Sequence, residues 1–286
     1  MRLPFALNGT NAKSAALLAC LMAAGCAAPS PRGGGGGGIV STNPCADAML
    51  VELVPPQRIA AISHYSQDPA ATSIPLDLAR RFRATRGTAE EVVAMRPDLV
   101  IASSFTAPST REAYARAGLR TLYLDSPVTI AASEAQVTEL AAAIGAEAQG
   151  RAMNRRIERA VAAASFSGSP IPALVWIGGN MASGAGNLLD EMLRRAGFSN
   201  QAAHYGLQFT GTLPAERVIV DPPRVMLVPD TDGRDAASRA AQLRSRALAH
   251  ANVMQVRFPR ELINCGGPVI ARAMTRLAEV RRGVGR

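Results

Sequence analysis

The apolar positions of this chain change their period along its length. Val137, Leu140, Ala141, Ile144 and Ala148 fall at i, i+3, i+4, i+7 and i+11, one stripe of a 3.6-residue period. Met153, Ile157, Ala160 and Val161 carry that face onward, while Arg151, Arg155, Arg156 and Arg159 occupy the wetter sides. Residues 133–164 therefore read as the longest helical stretch, with Ser133 and Gln136 in the spacing of a capping box. A continuous helix here would reach roughly 46 Å, longer than a small domain is wide. Gly145 costs about 1 kcal/mol against Ala inside a helix. The alternative is a break at that glycine and a second helix from Glu147. In either form the stretch divides, and can bridge, two halves of similar size.

On both sides of it short apolar runs alternate with helical periods. In the first half, strands are predicted at 39–41, 58–63, 98–102 and 121–124, and helices at 47–54, 88–95 and 108–117. In the second half, strands are predicted at 173–177, 225–228 and 253–256, and helices at 188–196, 214–220, 236–250 and 269–281. Alternation of this kind argues for parallel βα units. Ligands of such sheets bind beyond the carboxyl ends of the strands. Those ends fall here at 42–47, 64–68, 103–106 and 125–127.

The halves echo each other. TAEEVVAMRPDLVIAS at 88–103 aligns with PAERVIVDPPRVMLVP at 214–229, 126 residues later. Ala, Glu, Val and Pro coincide at 89/215, 90/216, 92/218 and 97/223. Each copy reads as helix, tight turn at proline, buried strand, and a duplicated lobe is the economical explanation.

At 286 residues, 48% hydrophobic and 19% charged, the chain can hold two lobes with real cores. The net charge of +9 raises nucleic-acid binding. However, the only lysine is Lys13, and the arginines are scattered along helices without aromatic interleaving, so no nucleic-acid partner is expected. Arg2 and Lys13 precede an apolar segment at 15–24, which is the pattern of an export signal and is about half the length a membrane span needs. Met22-Ala-Ala-Gly-Cys26 resembles a lipobox, with Cys26 as the lipidated residue, the periplasm as the compartment and the lipid as the only membrane contact. The expected layout is a signal peptide at 1–25, a tether at 26–38 with six consecutive glycines, a first lobe at 39–132, an interlobe helix at 133–165 and a second lobe at 166–286. The chain carries no Gly-x-Ser-x-Gly, His-Glu-x-x-His or Cys-x-x-Cys motif, and it is not read as an enzyme.

The segment at 88–102, the Ile62-Ser63-His64-Tyr65-Ser66 run followed by Asp68-Pro69, and Pro214-Ala-Glu-Arg-Val resemble the cobalamin and ferric-siderophore substrate-binding proteins of ABC importers. The likeness covers residues 39–280. It implies an α/β fold of two Rossmann-like lobes joined by a long rigid helix, the class III periplasmic-binding-protein fold. It also implies a monomer with no intrinsic cofactor that carries a cobalt or iron chelate in the interlobe cleft to a permease dimer with its ATPase. Heme on the same fold is the alternative ligand, and a metallocofactor-handling enzyme or chelatase is the alternative class. The sequence departs from the family at Asn43-Pro44-Cys45-Ala46-Asp47 and at Cys265-Gly-Gly-Pro268.

On this resemblance Glu90 and Glu216, one per lobe, dock the permease. Their other reading is as acids favouring a helix dipole. Thr88 and Glu91 form a capping-box pair, which leaves Glu90 free to point outward. Tyr65 falls where the family carries a ligand-facing tyrosine. Phe105, Trp176, Tyr205 and Phe209 lie in or beside predicted strand-end loops, and Arg86 can hold an anionic chelate. His64-Tyr65 and His204-Tyr205 repeat one dipeptide in each half, and such residues ligate metal or heme. Cys45 and Cys265 read either as a disulfide of an oxidising compartment or as free thiols facing ligand.

Overall fold

A computed structural model of the chain describes residues 37–178, 180–229 and 253–284. The export signal, Cys26, nearly all of the glycine tether and the helix expected at 236–250 lie outside the described residues.

The first lobe runs β1 (Ile39–Ser41), α1 (Pro44–Leu53), β2 (Ile59–Ser63), α2 (Leu76–Ala79), β3 (Ala84–Thr85), α3 (Ala89–Met95), β4 (Leu99–Ser103), α4 (Pro108–Arg116) and β5 (Thr121–Leu124). Its five strands pair in the order β3-β2-β1-β4-β5, all parallel. Burial on both faces explains the near-continuous apolar runs. α1 begins three residues earlier than the sequence reading, which opened it at Asp47. The Asn43 side chain caps it by accepting from the Cys45 and Ala46 amides, and Pro44 sits at the first helical position. Cys45 is therefore in a helical turn, not in a loop.

The stretch at 133–164 takes the broken form. α5 (Ile130–Ile144) ends on Gly145 at φ +67°, a left-handed conformation that stops a helix, and α6 (Glu147–Ala164) follows. Thr129, not Ser133, caps α5, and the buried Ser133 hydroxyl instead accepts from the Gly267 amide at 2.7 Å. α6 turns back along α5. The Asn154 amide donates to the Glu134 carbonyl and the Thr138 hydroxyl, and a Cβ on Gly150 would lie 2.5 Å from that of Ala141. The bridge between the lobes is thus α6 alone.

The second lobe continues through β6 (Ile171–Gly178), β7 (Met181–Ser183), α7 (Leu188–Arg195), β8 (Phe198–Asn200), α8 (Gln201–His204), β9 (Thr210–Thr212), α9 (Ala215–Val220), β10 (Val225–Val228), β11 (Met254–Arg257) and α10 (Pro268–Val284). β11-β10-β6-β7-β9 is the strand order, with β8 also on β6. β7 and β9 are antiparallel, so the glycine-rich stretch between β6 and α7 contains a strand of its own.

One apolar core extends from α1 and β4 through α5 and α6 to α7 and α10, burying Met49, Ile101, Leu140, Met153, Ile157, Met274 and Leu277. The lobes are also joined by the Cys45–Cys265 disulfide, by Arg272 donating to the Ser73 carbonyl, and by Ile130 N–H donating to Glu191 at 2.8 Å, while Arg156 ties α6 to Glu52 of α1. Among the described residues no helix is long and apolar enough to cross a membrane.

Candidate functional site at the strand ends

The strand order of the first lobe sets out a rim at its carboxyl edge. Arg86 follows β3, His64 and Tyr65 follow β2, Asn43 follows β1, Phe105 follows β4 and Val128 lies just after β5. Tyr65, Phe105 and Val128 are 51%, 80% and 49% exposed. Large apolar groups left in water at one strand edge mark a surface that something else covers.

The residues after β2 form a tight 3-10 turn, His64–Gln67, where the sequence reading placed an open loop. The Ser63 hydroxyl accepts from the Tyr65 amide, and the Gln67 amide donates to the carbonyls of Ala79 (3.1 Å) and Phe82 (2.9 Å). His64 Nδ1 lies 3.3 Å from the Thr85 carbonyl, and its ring is 4.1 Å from that of Tyr65. The Tyr65 phenol makes no hydrogen bond among the described residues, so its oxygen is available to a ligand.

Beneath the turn lies Asp47, fully buried. Its Oδ2 accepts from the Ser63 amide at 2.9 Å and the Ser66 hydroxyl at 2.6 Å, while Oδ1 has no partner. Burial pushes its carboxyl up to about 7, against the opposing pull of the nearby Ser41 hydroxyl and of the bonds from Ser66 and Ser63. A second carboxylate backs the Arg86 loop. Glu91 accepts from the Thr85 hydroxyl and the Arg86 amide, both at 2.8 Å, and these bonds, the Thr85 hydroxyl foremost, hold it below the usual carboxylate range. Thr88 caps α3, but the Glu91 carboxylate does not complete the expected box; it reaches back to β3. The buried Tyr114 hydroxyl donates to the Gly87 carbonyl at 2.9 Å and closes the same loop. Asp47, read from sequence as the acid opening a helix, was missed because its partners stand 16 and 19 residues away and follow no short-range pattern.

The second lobe answers differently. Trp176 is 3% exposed and packs with Leu174, Leu213 and Met226, so the structure moves it from the cleft to the core. Tyr205 is also displaced from the cleft. Its hydroxyl donates to the Asp221 carbonyl, and His204 Nε2 sits 3.0 Å from the Asp221 carboxylate. Asp221 caps α9 just before β10, at the amino edge of the sheet, opposite the edge where ligands gather. The two His-Tyr dipeptides therefore do not face each other. Phe209 is 59% exposed at φ +54° and lies over Gly186. Such a backbone is costly for a bulky residue. The Gly184–Asn187 segment beneath it is fastened by Asn200 to the Gly184 carbonyl and by Asp190 to the Gly186 amide.

Cys45 and Cys265 are bonded, with Cα atoms 5.1 Å apart, which removes both as thiolate ligands. Glu90 and Glu216 are each the second residue of their helices, exposed, and without an ion pair among the described residues. A cavity of about 900 Å³ opens along α7, lined by Val128, Thr129, Phe166, Asn187, Glu191 and Arg194. Of the rim residues Val128 alone lines it, and Phe166 precedes the amino end of β6, so it is a flank groove that meets the strand-end rim only at Val128. Among the described residues no three His, Cys, Asp or Glu side chains gather as a metal site.

The comparisons with known proteins agree on the architecture. A family model described as periplasmic binding protein matches residues 39–252. The periplasmic heme-binding protein RhuT of Roseiflexus sp. RS-1 superposes with a TM-score of 0.73 at 22% identity, covering 88% of this chain and 100% of its own. A periplasmic heme-binding protein of Pseudomonas aeruginosa gives 0.68 at 21% identity, over 85% of this chain and 91% of its own. The heme-binding protein HutB of Vibrio cholerae gives 0.68 at 15% identity, over 85% and 97%. At these identities the likeness shows the fold. No curated protein sequence matches the chain.

Proposed function

The chain belongs to the periplasmic binding protein family, and from that membership we propose that it is the substrate-binding component of an ABC importer that carries an iron chelate, heme, in the crevice between its lobes. The observation that carries the reading is the His64–Tyr65 turn, which offers an imidazole and an unpartnered phenol side by side on an exposed rim. Tyrosine oxygen and histidine nitrogen are both axial ligands of heme iron. One or two protein ligands suit a metal whose other positions a macrocycle already fills. Phe105 and Val128 offer apolar area to the ring, and Arg86, one strand away from His64, offers its charge to an acidic substituent. The heme-binding relatives support this choice over the corrinoid and siderophore alternatives.

Glu90 and Glu216, at matching places in the two lobes, suit docking onto a two-subunit permease. The apolar leader and Cys26 support export to the periplasm and lipid anchoring. Absorption titration of the purified protein with hemin, with cyanocobalamin as competitor, tests the ligand. Stoichiometric hemin binding that cyanocobalamin does not displace is expected. Binding of cyanocobalamin with no response to hemin would replace this reading with the corrinoid one.

A further inference from the structure

We infer that Asp47 is a positioning residue for ligand capture: it clamps the His64–Gln67 turn from below and thereby aims Tyr65 and His64 at the crevice. The inference rests on the proposed reading of that turn as ligand-facing.

Three observations carry it. First, one carboxylate oxygen takes both the Ser63 amide, at the turn's N-cap, and the Ser66 hydroxyl, on its far side, so a single atom ties the two flanks of the exposed His64–Tyr65 pair. Second, Asp47 is not needed to cap its own helix. Asn43 already accepts from the first amides of α1, and the Asp47 carboxylate leaves the helix to reach β2. Third, the position is expensive. A wholly buried carboxyl with one unpartnered oxygen is disfavoured unless its bonds do something an apolar residue could not. Other ties support the turn at its edges, through Gln67 to α2 and its C-terminal end and through His64 to β3. Among the described residues, Asp47 alone reaches it from beneath.

The second lobe holds a counterpart. The mostly buried Asp190 accepts from the Gly186 amide and the Asn200 side chain, fastening the segment over which Phe209 lies. Each lobe thus secures a rim segment with a buried carboxylate from the first turn of a helix, α1 before the segment in the first lobe and α7 after it in the second.

The test uses the full purified protein with hemin as probe, together with hydrogen exchange of the ligand-free form. Asp47→Ala should speed exchange of the 63–67 amides at least tenfold, leave β4 amides unchanged and weaken hemin binding tenfold or more. Asp47→Asn keeps one acceptor oxygen and should restore affinity to within about threefold of the parent. If Asp47→Ala does not fold, Ser66→Ala removes one of the two bonds and should show the same exchange change on a smaller scale. Tyr65→Ala separates the two ideas. Loss of hemin binding in Tyr65→Ala but not in Asp47→Ala would overturn the clamp. Unchanged hemin binding in Tyr65→Ala would overturn the ligand reading, and the exchange rates would then judge the clamp by themselves. Parental exchange in both Asp47→Ala and Ser66→Ala would overturn it outright.

Discussion

The two lobes repeat one helix–turn–strand unit, yet they present different chemistry at the crevice. The first lobe is a wholly parallel sheet whose rim displays Tyr65, His64, Arg86 and Phe105 on turns backed by Asp47 and Glu91. The second lobe inserts the antiparallel β7 and β9, buries Trp176, commits His204 and Tyr205 to Asp221 at the opposite edge, and offers Phe209. The lobes share that unit and the two exposed glutamates but not the rim. The lesson is that matching dipeptides in two lobes need not share a role. Asp221, at the end of α9 and before β10, draws His204 and Tyr205 to the amino edge.

The comparison breaks most visibly at the disulfide, which fastens α1 of the first lobe to the segment before α10. It closes a loop of 220 residues, and the chain-entropy account gives roughly 5 kcal/mol. Replacing both cysteines with serine should lower the melting temperature by many degrees and make hemin dissociation faster, because the lobes are then held by α6, packing and a few hydrogen bonds without a covalent cross-link. An unchanged melting curve would mean the apolar interface suffices.

Next in size is the pH response of Asp47. Its carboxyl is raised in the fold from 3.8 to about 7, so the folded state binds the proton more tightly than the unfolded chain does. Stability is therefore fully present below pH 4 as far as this group is concerned, and it declines as pH rises toward 7, by on the order of 4 kcal/mol. Asp47→Asn should flatten that decline in urea titrations run from pH 4 to 8. A parental slope in the variant would assign the pH dependence elsewhere.

The tyrosines sharpen the contrast between rims. Tyr65→Ala should weaken hemin by about 1–3 kcal/mol through lost aromatic area alone, and by more if iron is ligated. Tyr205→Phe should leave hemin affinity unchanged and cost stability by about 1 kcal/mol, the worth of its bond to Asp221. Equal losses of affinity in calorimetric titrations of the two would restore the symmetric two-sided site that the fold argues against. The smallest effect on the purified protein belongs to Glu90→Ala with Glu216→Ala. Both are exposed and unpaired among the described residues, so stability should stay within about 0.5 kcal/mol and hemin affinity should not move. Transport into cells or permease-bearing vesicles should nevertheless fail.

Most of the frame was legible because it follows from period. Strands such as Thr121–Leu124 and Val225–Val228 stand where apolar runs predict them, and the echo at 88 and 214 marks equivalent helices. The break at Gly145 was one of two forms the sequence permits, since glycine's cost does not decide between a strained helix and a left-handed stop. The site was less legible. Tyr65 and Phe105 follow from strand ends, but Trp176 at the end of a predicted strand reads the same whether it faces core or crevice. Tyr205 needed the partner at Asp221, and Asp47 needed the fold of β2 over α1. These contacts join residues that no periodicity links.

The central claim is that Tyr65 meets the chelated iron. The measurement that tests it most directly is the absorption spectrum of the ferric heme complex of the parent protein and of Tyr65→Phe, which keeps the ring and removes only the oxygen. The parent should show a phenolate-to-iron charge-transfer band that the variant lacks, with hemin still bound more weakly. An identical spectrum in the two proteins would contradict the claim.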